Sequence, residues 1–178
     1  MSLKGVAFFL LKGVAELSKN ATSLLKLASA VYFFQKNVGE LMLCVGPSML
    51  PTLSANGDVV IMEHFTPRFR ELKRKDIVVA VSPLNPNMSV CKRVTGLEGD
   101  KLVVGQATAE AVFQIHPEIV ERTEYGSFVR VPSGHVWLEG DNAINSTDSR
   151  QYGPVSVSLI RGRVLCRVLP LNAAGRVD

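Results

Sequence analysis

From Leu41 onward the chain is written in short runs of branched and aliphatic residues, each closed by turn-forming residues, and this rhythm constrains its fold most. The runs are DVVIMEHF (58–65), DIVVAVSP (76–83), VCKRVTGL (90–97), KLVVG (101–105), SFVRVP (127–132), HVWLEG (135–140) and IRGRVLCRVLP (160–170), separated by SANGD, PLNPN, LEGD, PSGH and GDN. β-Branched side chains favour extended backbone, and Gly, Asn and Pro supply the φ values of tight turns. Several short strands at this spacing predict a mainly β fold over 41–172, an antiparallel sheet or barrel-like sandwich, with 173–178 as a tail. One stretch breaks the rhythm. Residues 106–126, QATAEAVFQIHPEIVERTEYG, are helix-tolerant at the start and polar throughout, and read as an inserted loop.

Residues 1–40 have a different texture, apolar and helix-forming, with lysines at 4, 12, 19, 26 and 36. A membrane span needs about 20 consecutive apolar residues, and no window reaches that. The best stretch, Leu24 to Phe34, contains Lys26 and is closed by Lys36. It reads as a short span with snorkelling lysines or as an amphipathic helix lying in the interface. Either way, 1–40 is expected to be a helical membrane-anchoring segment. No small-x-small site of the kind that ends a cleavable signal peptide follows it.

Composition narrows the classes further. A hydrophobic fraction of 47% and a mean hydropathy of +0.19 exclude a disordered chain and fit membrane contact. The net charge of +4 includes one tight basic run, RFRELKRK at 68–75. It lacks the aromatic platforms or docking helix of a nucleic-acid site, and no nucleic-acid partner is expected. Cys44, Cys91 and Cys166 form no CxxC pair and have no histidine at ligand spacing, so neither a metal site nor a disulfide framework is predicted. Each lies among apolar residues, where a thiol acts as a small core hydrophobe.

The chemistry centres on GPSMLPTL, residues 46–53, where Ser48 is either a turn residue or a nucleophile. A serine is inert at neutral pH without an adjacent base. His64, His116 and His135 lie in no motif that would hold an imidazole against it, and surface or capping roles fit them better. Lys92 is the other source. Strand alternation puts it on one face with Val90 and Val94. It is then either a strand-edge lysine reaching water or a buried amine whose depressed pKa lets it accept a proton. A third segment, GDNAINSTDSRQYGP (140–154), follows a strand and collects Asp141, Asn142, Ser146, Asp148 and Arg150. It is either an Asx-rich turn or a polar support in which Ser146 orients the lysine and Asp148 pairs with Arg150.

GPSMLPTL, KRVTGLEGD and GHVWLEGDNAINSTDSRQYGP, in that order, resemble the type I signal peptidase family over about Leu41 to Pro170. The resemblance implies a serine endopeptidase on a largely antiparallel β fold, anchored by its N-terminal segment and cleaving leader or sorting peptides from translocated proteins. Carried over by motif, Ser48 is the nucleophile and Lys92, before Arg93, the general base. Ser146 helps position the lysine, Asp148 and Arg150 are the supporting pair, and the Ser48 backbone N–H gives part of the oxyanion hole. Gly46 departs from the many bacterial members that carry a serine there, so it lacks their side-chain donor. Ala143 and Ile144, where bacterial members often have charged residues, favour the mitochondrial branch. The resemblance then implies the inner membrane with the catalytic domain facing the intermembrane space, precursor-protein substrates, a sister protease subunit and no cofactor. The alternatives are a bacterial-type leader peptidase, a self-cleaving repressor-type Ser/Lys protease and a non-catalytic membrane-tethered β module acting as a partner subunit.

Overall fold

The computed structural model describes residues 21–30, 32–33, 38–66 and 71–177. It divides into two units, 1–38 and 39–178. In the first, the described residues 21–30 and 32–33 are helical, and Leu24, Leu25, Leu27, Tyr32 and Phe33 are exposed. Among the described residues no helix is long and apolar enough to cross a membrane. Most of the expected anchoring segment, and positions 68–70 of the basic run, lie outside the described residues.

The second unit is antiparallel β structure. Its strands are β1 (Gly39–Cys44), β2 (Asp58–Glu63), β3 (Ile77–Val81), β4 (Ser89–Gly96), β5 (Lys101–Val104), β6 (Val120–Thr123), β7 (Gly126–Arg130), β8 (His135–Glu139), β9 (Val155–Ser156), β10 (Ile160–Leu169) and β11 (Gly175–Arg176). Two helices interrupt them, α1 (Gln106–Ile115) and α2 (Ser149–Tyr152). The larger sheet runs β1-β2-β10-β3-β4-β8-β9, with β11 beside β10, and a smaller sheet runs β5-β7-β6. The long β10 crosses both β2 and β3, with irregular register at Val164/Cys166 and Arg167/Leu169 against β2 and at Ile160/Gly162 against β3. Each of the seven expected runs holds a strand. β1, β6, β9 and β11 are additional.

The run IVVAV in β3 is continuously apolar because both of its faces are covered. Val78 and Ala80 pack with Val94, Val136, Leu138 and Tyr152, whereas Ile77 and Val79 pack with Met49, Leu53, Val60 and Met62. At about 25 cal/mol per Å2 of apolar surface removed from water, such two-sided burial is what holds a short strand in place. Register then sets the site: Val78 lies opposite Lys92, and Val79 opposite Cys91.

Residues 106–126 correct the expectation of a loop. They fold as α1, a 3-10 turn at Pro117–Ile119, and β6. Val112 and Ile119 pack with Val129, Val131 and Trp137 in a third cluster. These few apolar residues are enough to order a polar-looking segment because the face they cover, that of Trp137, would otherwise be exposed.

Candidate active site

Ser48 sits in a 3-10 turn, Pro47–Met49, held from several sides. Gly46 enters the turn at φ +120, a conformation that side-chain-bearing residues rarely adopt, and its N–H donates to the Ala55 carbonyl at 3.1 Å. Leu50 N–H closes back on Pro47 O at 3.2 Å, and the buried Met49 and Leu53 anchor the turn in the core. The Ser48 backbone N–H has no hydrogen-bond partner among the described residues.

β4 brings the lysine to it. Lys92, Val94 and Gly96 are buried on one face of the strand, and Lys92 is only 4% exposed. Its Nζ hydrogen-bonds Ser48 Oγ at 2.8 Å. Burial pushes the Lys92 ammonium below its ordinary range, against the opposing pull of the Asp148 carboxylate. Of the two readings of Lys92 as a strand residue, the structure holds the buried amine.

The segment after β8 forms the third wall. Asp148, fully buried, caps α2 by accepting the Arg150 backbone N–H at 3.2 Å and gathers further donors. Its carboxylate accepts from Arg150 Nε at 2.8 Å and Nη2 at 2.5 Å, from Gly140 N–H at 2.8 Å and from Ser146 Oγ at 2.6 Å. Burial opposes its ionisation, but Arg150 and these donors together hold its carboxyl below the usual range. Ser146 therefore gives its proton to Asp148, which leaves its oxygen only as an acceptor, and Asp148 lies near enough to bias the Lys92 charge.

Residues not singled out as site residues tie the walls together. Asn142 donates its backbone N–H to Ser48 O at 3.0 Å and its side-chain Nδ2 to Pro47 O at 3.1 Å, fixing the turn that carries Ser48 to the 140s loop. Arg93, pointing opposite to Lys92, makes a bidentate pair with Asp141 at 2.8 Å to each oxygen, and Thr52 Oγ1 also donates to Asp141. Gly140 fills a tight place. A Cβ there would meet the Ser48 carbonyl oxygen at 2.5 Å and overlap the Ser146 hydroxyl.

The histidines stand apart from this cluster. His64 corrects the surface expectation, being 8% exposed with Nδ1 on the Arg161 carbonyl at 2.8 Å; it is a satisfied core residue. His116 caps α1 and His135 bonds the Ser133 carbonyl. Cys44 and Cys91 are also not sealed in the core. They line, with Met42, Gly46, Ser48, Val90 and Lys92, a cleft of about 340 Å3.

A serine hydroxyl against an amine stripped of water, on a rigid β scaffold and beside an open cleft, is the chemistry of a serine protease. Comparison with known proteins agrees. Residues 17–169 match the family described as signal peptidase, peptidase S26. The chain is 46% identical over 138 residues to mitochondrial inner membrane protease subunit 1 of Xenopus tropicalis and of Homo sapiens, in each case covering 78% of this chain and 74% of the relative. It is 35% identical to mitochondrial inner membrane protease subunit 2 of Danio rerio, over 75% of this chain and 66% of the relative. The chain belongs to the signal peptidase family, peptidase S26, and is a hydrolase of the serine protease type.

Proposed function

We propose that this chain is a catalytic subunit of an inner-membrane protease of mitochondria, a Ser/Lys endopeptidase that removes sorting peptides from proteins delivered to the intermembrane space. The observation that carries it is the 2.8 Å contact between Ser48 Oγ and the buried Lys92 Nζ. The 46% identity to subunit 1 of Xenopus tropicalis and of Homo sapiens, against 35% to subunit 2 of Danio rerio, supports the assignment within the family. The existence of both subunits among the relatives supports a sister subunit as partner. Residues 1–40 anchor the chain, and 41–172, facing the intermembrane space, form the catalytic domain. Leu41 and Leu43, exposed on the edge strand β1, and Val45 just after it fit a site held close to lipid.

The mechanism follows from the geometry. Neutral Lys92 accepts the Ser48 proton as Oγ attacks the scissile carbonyl, and the unpaired Ser48 N–H donates to the oxyanion that develops. Gly46 adds no side-chain donor. The Lys92 ammonium protonates the leaving amine, then, neutral again, activates the water that releases the acyl group. Asp148 limits how far the lysine pKa falls, so the base stays strong enough to take the proton. Substrate lies extended between β1 and the start of β4, where backbone pairing gives affinity and the cleft admits small side chains. No metal is assigned a role, and no cofactor is required. The test is processing of a sorting-peptide precursor by isolated inner membranes carrying wild type, Ser48→Ala or Lys92→Met. Both variants are expected to accumulate precursor while remaining folded, and retained cleavage by either would sink the dyad.

A further inference from the structure

Cys44 ends β1, and Cys91 immediately precedes Lys92 in β4. These strands are not neighbours in the sheet, yet both thiols line the same cleft and both pack on the cluster around Met49, Leu53 and Val79. The cleft brings the two side chains together; Cys91 beside it lowers the pKa of the Cys44 thiol, while Cys44 and burial raise that of Cys91. Both are partly exposed, and the cleft gives small solutes a path to them. An attacking thiol and a resolving thiol sharing one cleft, reachable from solvent, are what thiol–disulfide exchange requires. Two thiols do not make a closed zinc site, which takes four ligands, and no group of three or more metal-binding side chains occurs among the described residues.

We propose that Cys44 and Cys91 form a thiol modification site inside the cleft, where reaction with a low-molecular-weight disulfide joins them and shuts the cleft to substrate. The Cys44 thiolate attacks one sulfur of the disulfide RSSR and expels RS−, leaving a mixed disulfide. Cys91 loses its proton and its sulfur attacks Cys44, expelling the second RS−. Two thiol protons and two electrons thus leave the pair and appear as two RSH. The new bond, about 2.05 Å long, is far shorter than a non-bonded sulfur contact. It draws together the end of β1, which leads through Val45, Gly46 and Pro47 into Ser48, and the residue bonded to Lys92. A thiol reductant reverses it by the same exchange.

The effect on cleavage rests on the proposed peptidase function, whereas the bridge itself does not, so the two are read separately. Full-length protein in detergent is treated with oxidised glutathione. Intact mass is expected to show the loss of two hydrogens without a retained glutathione, and peptide mapping a bridge between Cys44 and Cys91. Cleavage of a reporter peptide is expected to fall about tenfold or more and to recover with dithiothreitol. Cys166→Ser, on β10 away from the cleft lining, is expected to respond as wild type does. Cys44→Ala and Cys91→Ala, each compared with its own reduced form, are expected to lose the response. Absence of the bridge, or a bridge that leaves cleavage unchanged, overturns the proposal, as does equal loss in Cys44→Ala and wild type. Absence of cleavage in the reduced wild type strikes the peptidase function instead.

Discussion

Gly140→Ala adds one methyl group at the point where the turn carrying Ser48 meets the loop carrying Ser146 and Asp148. The new carbon would lie 2.5 Å from the Ser48 carbonyl oxygen and 2.6 Å from Ser146 Cβ, about 1 Å inside ordinary contact. Ser146 could yield by rotating. The Ser48 carbonyl cannot, because it is main chain and already accepts the Asn142 N–H at 3.0 Å. Relief therefore moves the 3-10 turn, and with it Ser48 Oγ, away from Lys92. Overpacking of this kind costs about 1–3 kcal/mol of stability, or roughly 2–4 °C in Tm for each kcal/mol in a chain of this size. A displacement near 1 Å of a reacting atom costs about 100-fold in rate, equivalent to about 2.7 kcal/mol of transition-state stabilisation. The loss should fall on kcat, because Met42 and Val90 of the cleft are untouched. A reporter-peptide assay for kcat and KM, paired with thermal melting, measures both effects. Trimming Ser146 to Gly should not restore the rate, since the main-chain contact remains. If Gly140→Ala melts a few degrees lower at most and cleaves within a factor of about three of wild type, close packing at Gly140 is not what places the nucleophile.

Lys92→Met should abolish cleavage and flatten the alkaline pH dependence of stability. The native lysine titrates below the unfolded value of 10.5, so between its folded pKa and 10.5 the unfolded chain binds more protons and wild-type stability rises with pH; urea melts across that window showing the same slope in both proteins would refute its burial. By the same logic cleavage by wild type should rise with pH as Lys92 loses its proton and then level off, which a pH–kcat profile checks. Asp148→Asn leaves Arg150 without its buried carboxylate and should cost about 3–5 kcal/mol in chemical denaturation. In wild type, the Asp148 contribution is present above the unfolded pKa of 3.8 and is lost as pH falls through its lowered folded value. Arg93→Lys keeps the charge but not the fork on Asp141 and should lower kcat/KM by about tenfold, an effect absent if Lys suffices.

What the sequence disclosed was local, and what it withheld was mostly tertiary. Branched runs such as DIVVAV declared their strands because burial on two faces leaves no polar residue to confuse the pattern. Ser48, Lys92, Asp148 and Arg150 stood out because a nucleophile, an amine on an apolar strand face and a paired carboxylate are each odd where they lie. α1 was obscured because its helical composition is diluted by polar residues, and only Val112 and Ala109 reveal the buried side. Ser146 was expected to help position the lysine; that its hydroxyl donates to Asp148 at 2.6 Å is a contact that spacing does not disclose. The links from Asn142 to Ser48, from Thr52 to Asp141 and from Cys44 to Cys91 join segments remote in the chain. No local pattern marks such pairs. The same holds for Gly140, whose requirement for a bare Cα appears only when the turn carrying Ser48 is laid against it.

The hydrogen bonds from Asn142 to the Ser48 and Pro47 carbonyls have a consequence for the timing of activity. They join the 46–55 turn to a loop that follows β8, and Lys92 comes from β4, a strand between the two. A chain that has formed only its first strands has the serine but no fixed geometry for it. A chain lacking the loop has lysine and serine but no clamp between them. In the proposed mechanism cleavage would therefore await the complete sheet, since a half-built chain holds Ser48 and Lys92 without the geometry that pairs them.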